Sequence, residues 1–248
     1  MIKIESYSFL AFMFFLNSYL VKGQDLNRNL NLANGMKGAG SNFGYITQIH
    51  SKPESTKGSV YLIDDWLIGN IYLKKGVLDN IDKLDSLPLK YDLEHGLLEI
   101  KTPTDIKVLK LDQIERIEWL NRFFQLSKYI NIDRTVKADG IPLTGLFESL
   151  VEGNAVSLIL KTELEVIKAN YNVALDVGEK SDKIIKKERL YLIRGSEAFE
   201  ITNTGKKILS YLENKKAYLQ EFVKREKLSY KKKDDIIRII KEYNRVIL

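Results

Sequence analysis

From Ser59 to Ile201 the chain is a succession of short β-prone apolar runs separated by turn residues, and after Thr204 the apolar spacing changes to that of helices. This switch of period constrains the fold more than any other feature, because a strand buries alternate residues whereas a helix buries every third or fourth. The runs are 60–63, 66–73, 87–93, 97–101, 106–109, 114–120, 123–130, 145–151, 156–167, 190–193 and 199–201. Leu89, Tyr91 and Leu93 alternate with Lys90, Asp92 and Glu94, as in a sheet with one face buried and one wet. Glu94-His95-Gly96 joins this run to Leu97-Leu98-Glu99-Ile100-Lys101 and makes the clearest hairpin signal. No helix-length periodic segment separates the runs, so nothing carries a parallel crossover and the sheet is expected to be antiparallel. The charged stretch 176–188 is expected to be an exposed loop between strands.

In the C-terminal segment, 206–212 is a short helix candidate with Thr204 placed to cap it. Asn214 is placed to cap a second helix that turns Leu219, Phe222 and Val223 inward. A third, about 232–246, carries Ile236, Ile239, Ile240, Tyr243 and Ile247 at helical spacing, with Asp234 and Asp235 favouring the positive end of its dipole. The expected class is therefore α+β: an antiparallel meander of eight to ten strands over 59–203, then about three helices over 204–248 packed on the sheet.

Residues 1–24 carry the apolar run Phe9-Leu10-Ala11-Phe12-Met13-Phe14-Phe15-Leu16, interrupted soon after by Asn17 and Ser18. That is too short and too polar for a membrane span, and it reads as an export signal cleaved near Gln24 or Asp25. Residues 25–58, with Asn34-Gly35 and Gly38-Ala39-Gly40, read as a flexible Asn- and Gly-rich arm. The chain contains no cysteine, which excludes disulfides, thiolate metal sites and a lipidated signal cysteine together. The reading is of a periplasmic or secreted protein, free of the membrane after cleavage and held by its core.

The order Gly58-Ser59-Val60-Tyr61-Leu62, Gly69-Asn70-Ile71-Tyr72-Leu73, Leu89-Lys90-Tyr91-Asp92, Leu150-Val151-Glu152-Gly153, then Lys231-Lys232-Lys233-Asp234-Asp235 and Tyr243-Asn244 resembles a family of uncharacterised exported proteins of Bacteroidota. The resemblance implies export and architecture and brings no activity with it.

Chemistry-bearing motifs are few. There is no Gly-x-Ser-x-Gly elbow and no His-Glu-x-x-His, and the only histidines are His50 and His95, the latter in the hairpin turn. The remaining enzymatic option is paired carboxylates: Asp64-Asp65 beside Trp66, Glu115 with Glu118, and Glu163 with Glu165. Such pairs serve glycoside hydrolysis when one acid is protonated and its partner ionised. Phe123, Phe124 and Tyr129 are candidates to line an apolar groove. No cofactor motif occurs, and no aromatic-basic interleaving points to nucleic acid.

Charge is unevenly distributed. Residues 24–180 hold 19 Lys and Arg against 22 Asp and Glu, whereas residues 181–248 hold 18 against 10. Lys224, Arg225, Lys227, Lys231, Lys232 and Lys233 cluster about the turn between the last two helices, a basic patch suited to an acidic envelope partner or surface. The expected function is a non-enzymatic binding or scaffolding module of the cell envelope, with peripheral membrane contact a lesser option. The competing class is a carboxylate-dependent hydrolase acting on glycans.

Overall fold

The alternating runs assemble into one mixed sheet, and the helical periods that follow pack against it. The structure, a computed structural model, describes residues 56–78, 81–120, 125–172, 175–202 and 205–247. The expected export signal, the arm as far as Ser55, His50, Phe123, Phe124 and Thr204 lie outside the described residues.

The strands are β1 (Thr56–Lys57), β2 (Leu67–Leu73), β3 (Lys83–Asp92), β4 (Leu97–Lys101), β5 (Ile106–Lys110), β6 (Ile114–Leu120), β7 (Leu126–Ala138), β8 (Ile141–Val151), β9 (Ser157–Ile167), β10 (Asp182–Arg194) and β11 (Glu197–Ile201). The helices are α1 (Gly205–Tyr211), α2 (Lys216–Arg225) and α3 (Lys233–Ile247). Strand order is β1-β10-β9-β8-β7-β6-β2-β3-β4-β5, with β11 paired to both β10 and β7. The class is α+β, a meander followed by C-terminal helices, as the change of period indicates.

Two pairings depart from the antiparallel expectation. β1 runs parallel to β10, and β11 runs parallel to β7 through Glu197–Lys137 and Ala198–Ala138. Neither needs a crossover helix, because the sheet curls until β11 arrives beside β7, closing β7-β8-β9-β10-β11 into a ring. Register shifts between Asp133 and Lys137 and between Ser149 and Val151 supply the bending, as bulges do in curved sheets.

Inside the ring lie Ile132, Leu143, Phe147, Ile159, Tyr191 and Ala198. The neighbours of three of these on the same strands, Leu146, Leu158 and Leu192, face outward into two other cores. Strands β8 to β10 are thus buried on both faces where they cross the ring, which explains the unbroken Leu158-Ile159-Leu160 run. Residues 182–188, expected as a loop, are the first half of β10. Their charges are matched across the ladder: Lys187 Nζ lies 3.1 Å from Glu165 and Arg189 Nε 2.9 Å from Glu163. A charged stretch with such partners makes a strand despite its polarity.

Strands β2 to β6 enclose the largest core, with Ile71, Leu84, Leu87, Leu89, Leu98, Ile100, Leu109, Ile114 and Ile117 fully buried. Gly69 allows β2 to cross β6 closely, since a Cβ there would sit 2.7 Å from the Glu118 carbonyl oxygen. The run 60–63 is not a strand. It straps over the end of β3, with Leu62 N–H donating to the Tyr91 carbonyl at 2.9 Å and Leu93 N–H to the Val60 carbonyl at 2.9 Å. Asp92 is buried beneath this strap, so the polar side of β3 is less wet than its alternation suggests.

The helices bury Ile208, Leu212, Leu219, Ile236, Ile239, Ile240 and Tyr243 against Leu158 and Leu192. Asn214 does not cap α2. It lies in a 3-10 turn (Glu213–Lys215), and the capping position falls to Lys215, without a side-chain bond. Among the described residues no helix is long and apolar enough to cross a membrane.

Candidate functional site

The tip of the α2–α3 hairpin is built around a left-handed residue. α2 ends in the Schellman pattern, with Leu228 N–H donating to the Val223 carbonyl at 2.9 Å and Lys227 N–H to the Lys224 carbonyl at 3.3 Å. Lys227 occupies the position that favours glycine, at φ 53°. The turn that follows is pinned by Asp235, whose Oδ2 accepts the Ser229 N–H at 2.9 Å. Leu228 and Tyr230 pack against the helical core, while the flanking Lys227, Lys231 and Lys232 are exposed.

The structure brings all six predicted basic residues to this exposed tip and divides them into two groups. Arg225 Nε meets Glu226 at 3.2 Å, and Lys233 Nζ meets Glu188 on β10 at 3.1 Å, tying the tip to the sheet. Lys224, Lys227, Lys231 and Lys232 form no side-chain ion pair among the described residues. Four exposed ammonium groups about one anchored turn outnumber the nearby Glu226, Asp234 and Asp235 and make a positive surface.

Of the carboxylates named from sequence, Asp64, Glu115, Glu118, Glu163 and Glu165 are engaged by cations. Asp64 Oδ1 lies 3.6 Å from Lys186 Nζ, and its pKa is lowered mainly by a hydrogen bond from Ser59. Glu118 accepts the Tyr72 hydroxyl at 2.9 Å and Arg116 Nε at 3.2 Å, while Glu115 lies 3.8 Å from Arg116. Glu163 stands between Lys161 at 2.8 Å and Arg189 at 2.9 Å, which together hold its carboxyl below the ordinary range despite burial. These surroundings keep Asp64 and Glu163 ionised, the opposite of what a proton donor needs.

Two glutamates behave otherwise. Glu148 on β8 is half-buried, and its pKa is raised by burial, with Glu188 adding to the rise and Lys233 and a hydrogen bond to Ser127 opposing it. It stands opposite Tyr129 in the ladder, and Tyr129 packs edge-on against Trp119 with ring centroids 4.9 Å apart. Tyr129 is therefore core rather than groove lining. Burial also raises Glu99, whose carboxylate accepts the Tyr61 hydroxyl at 3.2 Å, and the Tyr61 pKa is pushed up to about 12 by its own burial and by Glu99. Sequence reasoning missed Glu148. Its signal was a lone acid inside the apolar run Leu146-Phe147-Glu148-Ser149-Leu150.

His95 lies in the β3–β4 turn, where Nδ1 is 2.8 Å from Asp92 Oδ2 and the other Asp92 oxygen accepts the N–H groups of Glu94 and His95. This is turn chemistry with a charge partner. Among the described residues, no group of three or more His, Cys, Asp or Glu converges as a metal site. Compared with protein-family models, curated proteins and solved structures, the chain matches none.

Proposed function

We propose that this chain is an exported, non-enzymatic binding module of the cell envelope that docks onto an acidic partner through the α2–α3 tip. The observation that carries this reading is the set of four lysines, Lys224, Lys227, Lys231 and Lys232, that form no ion pair among the described residues on an anchored turn, while Arg225 and Lys233 are engaged by glutamates. The turn that carries them is held by the Schellman bonds at the end of α2 and by Asp235 on Ser229, so the four lysines leave the protein from an ordered backbone. The short apolar run at 9–16 supports export.

The test is binding of the full chain to immobilised polyglutamate, at low and high salt, beside a variant with Lys224, Lys227, Lys231 and Lys232 all changed to Gln. Saturable binding that falls steeply with salt and is lost in the variant supports the docking role. Equal binding by the two proteins overturns it. N-terminal sequencing of the exported protein should start near Gln24 or Asp25, and an intact Met1 would contradict export.

A further inference from the structure

The outer face of β2 to β5 carries a second arrangement, distinct from the helical tip. In the ladder, Leu89 and Ile100 form a fully buried pair, so Lys90 and its partner Glu99 point to the opposite, solvent side, as do Pro88 and Lys101 two residues along. Ile68 pairs with Pro88, and Ile106 pairs with Lys101, adding aliphatic groups 42% and 38% exposed on the same side.

The half-buried Trp66 completes the face. Lys90 Nζ lies 5.8 Å from its ring centroid and Lys101 Nζ 5.9 Å, while Lys90 Nζ also sits 3.9 Å over the Tyr61 ring. Among the described residues neither lysine forms an ion pair with a carboxylate. Their heads are positioned by aromatic rings instead, which leaves the ammonium donors available to an incoming anion. Glu99 faces Lys90 across the ladder and stands two residues before Lys101 on β4, turned to the Tyr61 hydroxyl. Diagonal neighbours in an antiparallel ladder stand about 7–8 Å apart, roughly the span of one sugar ring.

We propose that this face binds an acidic saccharide, with its carboxylate or phosphate taken by Lys90 and Lys101, a C–H group of the sugar against the edge of Trp66, and a hydroxyl donating to Glu99. Each element answers one part of that ligand: an aromatic edge for the apolar face, paired ammonium groups for the anion, and a fixed carboxylate for hydroxyls. An acidic polypeptide carries no ring hydroxyls for the acceptor capacity that Glu99 keeps beyond its bond from Tyr61. It is the less suitable occupant.

The experiment titrates the full chain with trigalacturonate while following tryptophan fluorescence, with maltotriose as neutral control and hexaglutamate as anionic control. Trp119 is buried, so a ligand-induced change reports on Trp66. Saturable binding of the uronate should weaken about tenfold or more in Lys101→Gln and in Lys90→Gln, the loss expected for one charge-assisted hydrogen bond. Binding should persist in Lys90→Arg and in the variant with the four tip lysines replaced by glutamine. Equal affinity for maltotriose, equal or tighter binding of hexaglutamate, or unchanged uronate affinity in Lys101→Gln would each overturn the assignment. Because Lys101 is an exposed residue near the end of β4, that variant retains the core and keeps the test decisive.

Discussion

Asn244 on α3 satisfies both backbone polar groups of Val156: its Oδ1 accepts the Val156 N–H at 3.1 Å and its Nδ2 donates to the Val156 carbonyl at 2.9 Å. The side chain substitutes for a strand partner at the entrance to β9 and so fixes the last helix to the sheet. Gly153 makes this possible, since a Cβ there would lie 2.1 Å from Asn244 Nδ2.

Asn244→Ala should therefore destabilise the protein by about 3 kcal/mol, because two largely buried backbone groups lose their partners. Gly153→Ala should also destabilise, but less in the Asn244→Ala background, where the clash is gone. A double-mutant cycle by denaturant unfolding should give a coupling of about 1 kcal/mol or more. Strict additivity would show that the two residues do not interact.

Lys227→Gly should raise stability by about 1 kcal/mol, because glycine adopts the left-handed conformation without the side-chain penalty. For a chain of this size that is roughly 2–4 °C in Tm. The same change removes one of the four tip lysines and should weaken polyglutamate binding. A fall in Tm would place Lys227 in contacts that outweigh its backbone strain.

The His95 pKa is raised, chiefly by its hydrogen bond to Asp92. The associated stability is complete below the ordinary histidine value of about 6.5 and is lost as pH rises through the higher folded value. The side chain is half exposed, so the contribution is about 0.5 kcal/mol or less. An NMR titration of the ring should give a midpoint above the ordinary value, returning toward it in Asp92→Asn; an unchanged midpoint would sever the link.

For Glu148, burial raises the carboxyl pKa above its ordinary value in the folded state. Its stabilising contribution is complete below the ordinary glutamate range and is lost as pH rises through the raised folded value. Glu148→Gln should accordingly melt above the parent near neutral pH and converge with it in acid. A variant that melts below the parent at neutrality would mean that attraction to Lys233 outweighs desolvation.

The fold was legible where one physical cause acted alone. The Leu89-Tyr91 alternation and the His95 turn gave the β3–β4 hairpin, and Ile236, Ile239, Ile240 and Tyr243 gave the buried face of α3. It was hidden where a distant partner changed the meaning of a residue. Asp182 to Glu188 resembles a loop until Glu163 and Glu165 are placed beside it, and the parallel β11–β7 pairing depends on curvature that no local pattern records. The basic tip could be read from composition, but its division into engaged and free lysines required Glu188 and Glu226 in space. Lys90 and Lys101 looked like ordinary surface charge because the register that sets them beside Trp66 is a tertiary fact.

The ring of β7 to β11 has a consequence for how the molecule is made. Its closing pair, Glu197 with Lys137 and Ala198 with Ala138, joins strands separated by all of β8, β9 and β10, so the loop entropy of that whole stretch is lost before the closure repays it. On a ribosome, Phe147 and Ile159 emerge well before Ala198, and their side of the sheet stays open until β11 follows. The core inside the ring is thus sealed late in synthesis, and the helices can dock fully only on strands that this seal has brought together.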